Sequence, residues 1–185
     1  MVEILRSLRR ENANLAKVLD AFDRQVTALK NTGIADYEVL EAIVDYCLYR
    51  REKLHNLKEN LIIGKLRERD GETAEEIGAL NQMQADFGQY AKRFSDAFDR
   101  LLEDVELSRD TFTNAGRNFA EFCRRHMEME EKVLYPTAAE RLTSEDWRDI
   151  EARTNEAESA MATVQKRFER LFADILTLDR ARAEA

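Results

Sequence analysis

The stretch RRHMEMEEKVLYP, residues 124–136, contains one of the two histidines of this 185-residue chain. In this stretch Glu130 follows His126 by four residues. The stretch KLHNLKENL, residues 53–61, repeats the same spacing around the other histidine. Residues four apart lie on one face of a helix, so each stretch predicts an imidazole and a carboxylate that point in the same direction.

The composition predicts an all-α protein. Hydrophobic residues make up 44% of the chain and charged residues 36%, with one proline and six glycines. Few helix breakers together with many charged residues favour long amphipathic helices. A chain of this length can bury a sizeable core without disulfides or a metal ion.

The net charge, the cysteine content and the lack of a long apolar run limit the partners and the location that we expect for this chain. The net charge of −8 argues against nucleic acid, because phosphate binding favours a basic surface. Cys47 and Cys123 do not form a disulfide framework. No apolar run approaches the roughly 20 residues of a membrane span, so we expect a cytoplasmic protein without a membrane partner.

Apolar residues recur at steps of three and four residues and predict four long helices. Their approximate bounds are 2–29, 36–69, 73–105 and 111–136. The segment NTG ends the first helix, Thr73 is a candidate cap of the third, and Pro136 should kink or terminate the fourth. We therefore expect residues 1–142 to form a four-helix bundle.

A further helix is predicted for residues 143–185. Thr143 or Ser144 can cap it, and Trp147 can anchor it against the bundle. Its apolar seam has the spacing of a short coiled coil and consists of Met161, Val164, Phe168, Leu171, Ile175 and Leu178. The seam can dock on the bundle of the same chain or form a homodimer contact.

Polar residues interrupt the apolar stripes of all four bundle helices near mid-length. These residues are Asn12, His55, Glu59, Gln84, His126 and Glu130. Two buried carboxylates cost several kcal/mol unless they are compensated. A metal ion, the histidines as cations, or the two amides can supply the compensation. The neighbours of Asn12 in RRENAN are interpreted as a solvated helix face.

Two His-x-x-x-Glu pairs supply nitrogen and oxygen donors that suit zinc, ferrous iron or manganese. Helix bundles commonly build metal sites from such inward side chains. Cys123 is a possible soft ligand, although a small buried hydrophobe is the favoured interpretation. Tyr46, Tyr49 and Tyr135 fall on other helix faces and are expected to pack rather than join the site.

Four segments resemble, in order and spacing, the hemerythrin-like (HHE cation-binding) family. They are LRRENANLAKVL, YCLYRREKLHNLKENLIIGKLRER, LNQMQADFG and FCRRHMEMEEKVLYPTAAERLTSEDW. The resemblance spans roughly residues 5–150. It implies an up-down-up-down four-helix bundle with a non-haem iron pair. Family members bind dioxygen, sense oxygen or iron, or handle nitric oxide and peroxide.

The resemblance implies six metal-site positions, of which four keep a ligand: His55, Glu59, His126 and Glu130. Asn12 and Gln84 occupy the other two, where the family usually has histidine. A neutral amide is a poor substitute for imidazole on iron, so we expect a reduced site with weaker iron binding. The four ligands could hold one ion or bridge two.

The second helix departs from the family at two further positions. Asn56 replaces a second histidine, and Leu57 replaces a proline that perturbs this helix in other members. The helix is therefore expected to run straight through.

Three functional hypotheses follow. The first is a reduced iron, zinc or manganese site that serves oxygen, redox or metal sensing, with dioxygen or another diatomic molecule as a possible ligand. The second is a metal-free bundle that acts as an interaction or regulatory protein. The third is an enzyme such as a small peroxidase. It is the least favoured, because the sequence contains no separate acid, base or substrate motif.

Overall fold

The computed structural model describes residues 2–50, 54–69, 77–102 and 109–183. These residues are almost entirely helical, and no strand occurs among them, so the predicted all-α helical bundle is confirmed. The helices are α1 (Glu3–Thr32), α2 (Tyr37–Arg50), α3 (Asn56–Arg69), α4 (Gly78–Leu102), α5 (Arg109–Met129), α6 (Tyr135–Arg141), α7 (Ser144–Ala160) and α8 (Ala162–Ala183). A π-helical turn, Glu130–Leu134, joins α5 to α6.

Helix packing closes a ring. Helix α1 packs against α2 and α5, and α4 packs against α2 and α5. The α1 helix ends where the NTG segment predicted, because Gly33 adopts the left-handed conformation with φ 77° and donates to the carbonyl of Leu29. The predicted cap Thr73 lies outside the described residues.

The π-helical turn explains how the chain passes Pro136 without ending. Proline has no N–H to donate inside a helix. In the residue directly before Pro136, the N–H of Tyr135 reaches back five residues to the carbonyl of Glu130, which is the π-helical pattern. The helix then continues to Arg141. Pro136 therefore marks a local widening of the helix.

The second bundle helix is not regular near His55. Leu54 and His55 are π-helical, and α3 begins at the next residue. Residues 51–53 lie outside the described residues. The expectation of a straight helix, based on Leu57, is therefore not met at His55 itself.

The C-terminal segment forms two helices, α7 and α8, which meet at Met161, whereas the sequence predicted one helix over residues 143–185. Both pack on the bundle of the same chain. Helix α7 packs on α3, and α8 packs on α1 and α2. Thr143, not Ser144, is the cap: its hydroxyl accepts from the N–H of Asp146, whose carboxylate accepts from the N–H of Thr143. Trp147 is buried, and Ile175 of the seam joins the core. A homodimer contact and a domain boundary at residue 142 stay predictions.

The buried apolar residues form two clusters, one on each side of the polar layer. On α1 the boundary between the two clusters falls at Asn12, and on α4 it falls at Gln84. On the continuous α5–α6 helix it falls between residues 123 and 134. On the α2–α3 helix the separation falls around His55 and Glu59. The polar residues are thus enclosed between two layers of buried apolar side chains, which limit the access of water to them.

Helix α5 approaches α1 and α4 closely at Gly116. A Cβ atom at this position would clash with the ring of Phe22 and lie 3.1 Å from Phe94. Gly88 on α4 has open space around its Cα. Gly116 therefore permits close packing of the helices, whereas Gly88 only weakens α4 through its low helix propensity.

We predict that Gly116→Ala lowers the free energy of unfolding by about 1–3 kcal/mol, because an added methyl group overfills a packed core. Gly88→Ala, the matched control, should raise it by up to about 1 kcal/mol through helix propensity. Urea unfolding followed by circular dichroism measures both. Equal stability of Gly116→Ala and the parent would contradict the packing at Phe22.

Candidate metal centre

The residues that the sequence placed on four inward stripes meet in one layer of the bundle. Glu59, His126 and Glu130 are fully buried, and Asn12 and His55 are nearly so. Gln84 is half-buried at the edge of the layer. Two carboxylates and two imidazoles thus share an interior without bulk water.

The two His-x-x-x-Glu pairs are interlocked. His55 Nε2 lies 3.3 Å from Glu59 Oε1 and 3.7 Å from Glu130 Oε2. His126 Nε2 lies 2.9 Å from Glu130 Oε1 and 3.9 Å from Glu59 Oε2. Each carboxylate therefore lies between both imidazoles, with one oxygen near each ring.

These separations suit metal coordination. Donor atoms bound to one zinc or similar ion at about 2.1 Å are separated by about 3.0–3.4 Å. The distances of 2.9 and 3.3 Å within the two pairs lie near that range. Ligand atoms of His55, Glu59 and Glu130 all lie within 4.8 Å of one another. The mixed nitrogen and oxygen donors suit a borderline divalent ion.

Several buried donor atoms lack a hydrogen bond. Among the described residues, Glu59 Oε1 and both ring nitrogens of His126 have no hydrogen-bond partner. His126 Nε2 is close to Glu130 Oε1, but the two groups are not aligned for a hydrogen bond. Buried polar atoms are nearly always paired, and leaving one unpaired costs about 1–3 kcal/mol. A bound cation would satisfy these atoms.

The two amides act on the carboxylates as donors. Asn12 Nδ2 donates to Glu130 Oε2 at 2.5 Å, and Gln84 Nε2 donates to Glu59 Oε2 at 2.9 Å. Each amide therefore presents its NH₂ group, not its carbonyl oxygen, to the site. This arrangement stabilises and orients the carboxylates, and it supplies two N–H donors at the two positions where the resemblance implied a lost ligand.

Glu11 belongs to the site, although RRENAN was interpreted as a solvated face. Its Oε2 atom lies 2.9 Å from His55 Nδ1, and its Oε1 atom accepts from Lys58 at 3.0 Å. A carboxylate on Nδ1 orients an imidazole and leaves Nε2 to face a metal. The interpretation was wrong because Glu11 lies at the border between the apolar stripe and the solvent face, and the α3 helix covers it.

Tyr135 is a second residue that the sequence analysis misplaced. Its hydroxyl donates to Glu130 Oε2 at 3.1 Å, and Asn12 Nδ2 lies 3.1 Å from the same hydroxyl. In an α-helix, five residues turn the chain about 140° beyond a full turn, which points Tyr135 away from Glu130. The π-helical turn places residues five apart over one another instead. Only Pro136 signals that turn in the sequence.

Burial raises the pKa of Tyr135 far above its ordinary value, and the negative charges of Glu130 and Glu59 raise it further. The side chain is therefore a neutral phenol, and its hydroxyl donates a hydrogen bond to the carboxylate of Glu130. Together with Asn12, it holds one oxygen of Glu130 in place.

The cysteines lie beside the site and not within its cluster of charged donors. Cys47 and Cys123 are buried, and no disulfide joins them. They border a void of about 10 Å³ next to Asn12 and His55. The role of small buried hydrophobes, favoured from the sequence, accounts for their burial.

His55 is under opposing influences. Burial alone would lower its pKa, but the charge of Glu59 and the close contacts of the ring with the carboxylates of Glu11, Glu130 and Glu59 raise the pKa well above 6.5. Without a competing cation, the ring is therefore an imidazolium at neutral pH. Its positive charge then offsets part of the negative charge that Glu59 and Glu130 bring into the core.

We predict that the metal-free protein becomes less stable as pH rises from about 6.5, the unfolded pKa, towards the higher folded pKa of His55. Below that window the contribution of the imidazolium is fully present. Within it, the unfolded chain has lost the proton that the folded chain keeps, which gives a slope of up to about 1.4 kcal/mol per pH unit. Urea unfolding with a chelator present, at several pH values, measures this slope.

The variant His55→Gln should lack that decline, because it has no proton to lose. Its overall stability should be lower, since the carboxylates lose their cation. Parallel pH profiles of the parent and His55→Gln would contradict a raised pKa at this position.

Comparison with known proteins yields one match. A family model described as the hemerythrin HHE cation binding domain matches residues 3–138. The match covers α1 to α6 apart from the last residues and includes every residue of the polar layer. No curated protein and no solved structure matches the chain. Among the described residues, no helix is both long and apolar enough to cross a membrane.

Proposed function

The chain belongs to the hemerythrin HHE cation-binding family, and from that premise we propose that it binds one or two divalent metal ions, with iron as the first candidate. The proposed ligands are His55, Glu59, His126 and Glu130. One observation carries the proposal: these buried side chains converge from two helices, and Glu59 Oε1 and His126 Nε2 have no hydrogen-bond partner among the described residues. Zinc and manganese suit the same donors and are the alternatives.

Residues around the ligands have separate tasks. Glu11 fixes the ring of His55, and Gln84 and Asn12 hold the Oε2 atoms of Glu59 and Glu130. Tyr135 adds a second donor to Glu130. Because these contacts preset the donor positions, less conformational entropy is lost when an ion binds. A bound iron ion would supply a redox couple and an open position for dioxygen or another diatomic molecule.

We propose sensing of oxygen, redox state or metal as the role. A connected path supports this role: Glu11 contacts His55, Lys58 contacts Glu11, and Glu158 of α7 lies 2.9 Å from Lys58. The α7 helix lies beyond residues 3–138, so this path connects His55 to a part of the chain outside the matched domain. We also propose a cytoplasmic location, in keeping with two cysteines that no disulfide joins.

A metal-free interaction protein is the second candidate. The hydrogen bonds from Asn12 and Gln84 favour it, because they partly neutralise the two carboxylates without an ion. The unpaired atoms of Glu59 and His126 weigh against it.

Metal analysis tests the proposal directly. We expect the protein, loaded with ferrous iron under anaerobic conditions and desalted, to retain between one and two ions per chain by elemental analysis. Glu130→Gln should retain almost none, because it loses a charged ligand at the centre of the layer. The control is Glu131→Gln, whose carboxylate is partly exposed and pairs with Arg9, and it should bind like the parent.

Traces of iron, zinc and manganese alone, with no gain on loading, would overturn the metal hypothesis in favour of the metal-free bundle. Equal retention by Glu130→Gln and the parent would show that any bound ion lies elsewhere.

A further inference from the structure

A cavity of about 580 Å³ lies between the bundle and the C-terminal helices. One wall belongs to α1, α2 and α3, and the other to α7 and α8. The second wall lies wholly beyond residues 3–138, so the cavity is a feature of this chain added to the family domain. Its size is that of a small-molecule pocket and far exceeds what a diatomic molecule needs.

The cavity runs from an exposed mouth to a buried end. Arg10 and Glu169 are exposed, whereas Lys58 and Thr154 are buried. His55, the proposed metal ligand, also lines it at the buried end. A molecule in the cavity would therefore lie beside the metal centre.

The hydrogen-bond donors at the buried end of the cavity already bind acceptors of the protein itself. An ammonium group has three N–H donors. Lys58 lies 3.2 Å from Ser7 Oγ, 3.0 Å from Glu11 Oε1 and 2.9 Å from Glu158 Oε1, which accounts for all three. His55 Nδ1 is engaged with Glu11.

The polar surface left to a ligand is thus dominated by acceptors. Each carboxylate oxygen accepts more than one hydrogen bond, so Glu158, which contacts Lys58 through Oε1, retains acceptor capacity. Glu11 is already engaged with Ser7, Lys58 and His55. The described lining residues also include the carboxylates of Glu3, Glu151 and Glu169. Among them, Arg10 at the mouth is the remaining cationic side chain outside the buried Lys58 and His55.

Aromatic rings form another part of the lining. The ring of Tyr46 lies 6.3 Å from that of Phe168 and 6.0 Å from that of Phe172, measured between centroids. All three residues border the cavity. Aromatic faces attract cations, and they also bury the apolar body of an organic molecule.

Thr154 provides an independent sign of a missing partner. It is 3% exposed and lines the cavity, yet its hydroxyl has no hydrogen-bond partner among the described residues. Buried hydroxyls are normally paired. A ligand with a hydrogen-bonding group at the buried end would satisfy it.

We propose that this cavity binds a small protonated organic amine with an apolar body. The amine donates a hydrogen bond to the carboxylate of Glu158 near Thr154, and the apolar body packs on Tyr46, Phe168 and Phe172. Binding does not require the metal ion of the proposed function.

Three probes of nearly equal shape test the charge preference: benzylamine, benzyl alcohol and benzoate. Calorimetric titration of the full-length protein at neutral pH, with a chelator present, measures their affinities. Benzylamine should bind at least about tenfold more tightly than either of the others, because the carboxylates favour a cation and repel an anion.

Two variants test the location. Phe172→Leu should weaken benzylamine binding about fivefold by removing a ring face, while it keeps an apolar side chain at this position. Glu158→Gln should weaken it by a similar factor. The control Glu156→Gln changes an exposed residue of α7 that does not line the cavity, and its affinity should equal that of the parent. Circular dichroism verifies that each variant is folded.

Absence of benzylamine binding up to about 10 mM, or equal binding of benzoate, would overturn the proposal. Benzylamine binding that neither Phe172→Leu nor Glu158→Gln weakens would also overturn it. Because every measurement is made without metal, a failure here is distinguishable from a failure of metal binding.

Discussion

The burial of two carboxylates in one helical layer is the constraint on which the rest of the structure depends. Glu59 and Glu130 are fully buried between two apolar clusters. Charged groups in such a place must be paired, hydrogen-bonded or bound to a metal. The nearby imidazoles, the amides of Asn12 and Gln84 and the phenol of Tyr135 all serve this need. Even so, atoms of Glu59 and His126 stay unpaired among the described residues, which is why a cation completes the layer best.

Ion pairs of a buried lysine connect this layer to the C-terminal helices. Lys58 is 2% exposed and holds carboxylates from two parts of the chain, Glu11 on α1 and Glu158 on α7. Such a buried lysine is stable because both partners are present. The same contacts form one end of the cavity beside His55. The metal layer, the docking of α7 and the proposed amine pocket therefore share a single group of charges.

Helix periodicity explains how much of this arrangement was predictable. The spacing of apolar residues located the bundle helices, and the polar interruptions located His55, Glu59, His126 and Glu130 in one layer, where the structure places them. The same periodicity failed at Tyr135, because one π-helical turn shifts the register of all that follows. It failed also at Glu11, because a residue at the edge of a stripe is buried or exposed according to which helix packs over it.

The sequence by itself determined the helical class, the end of α1, the start of α7 and the identity of the inward polar residues. These properties depend on local geometry: the helical period, a left-handed glycine and a capping box. Only the tertiary structure decided the partners of those residues. The amides turned out to donate to carboxylates, Glu11 to hold His55, and the C-terminal seam to dock on α1 and α2. Such choices depend on distances between helices that are far apart in the chain, and periodicity carries no information about them.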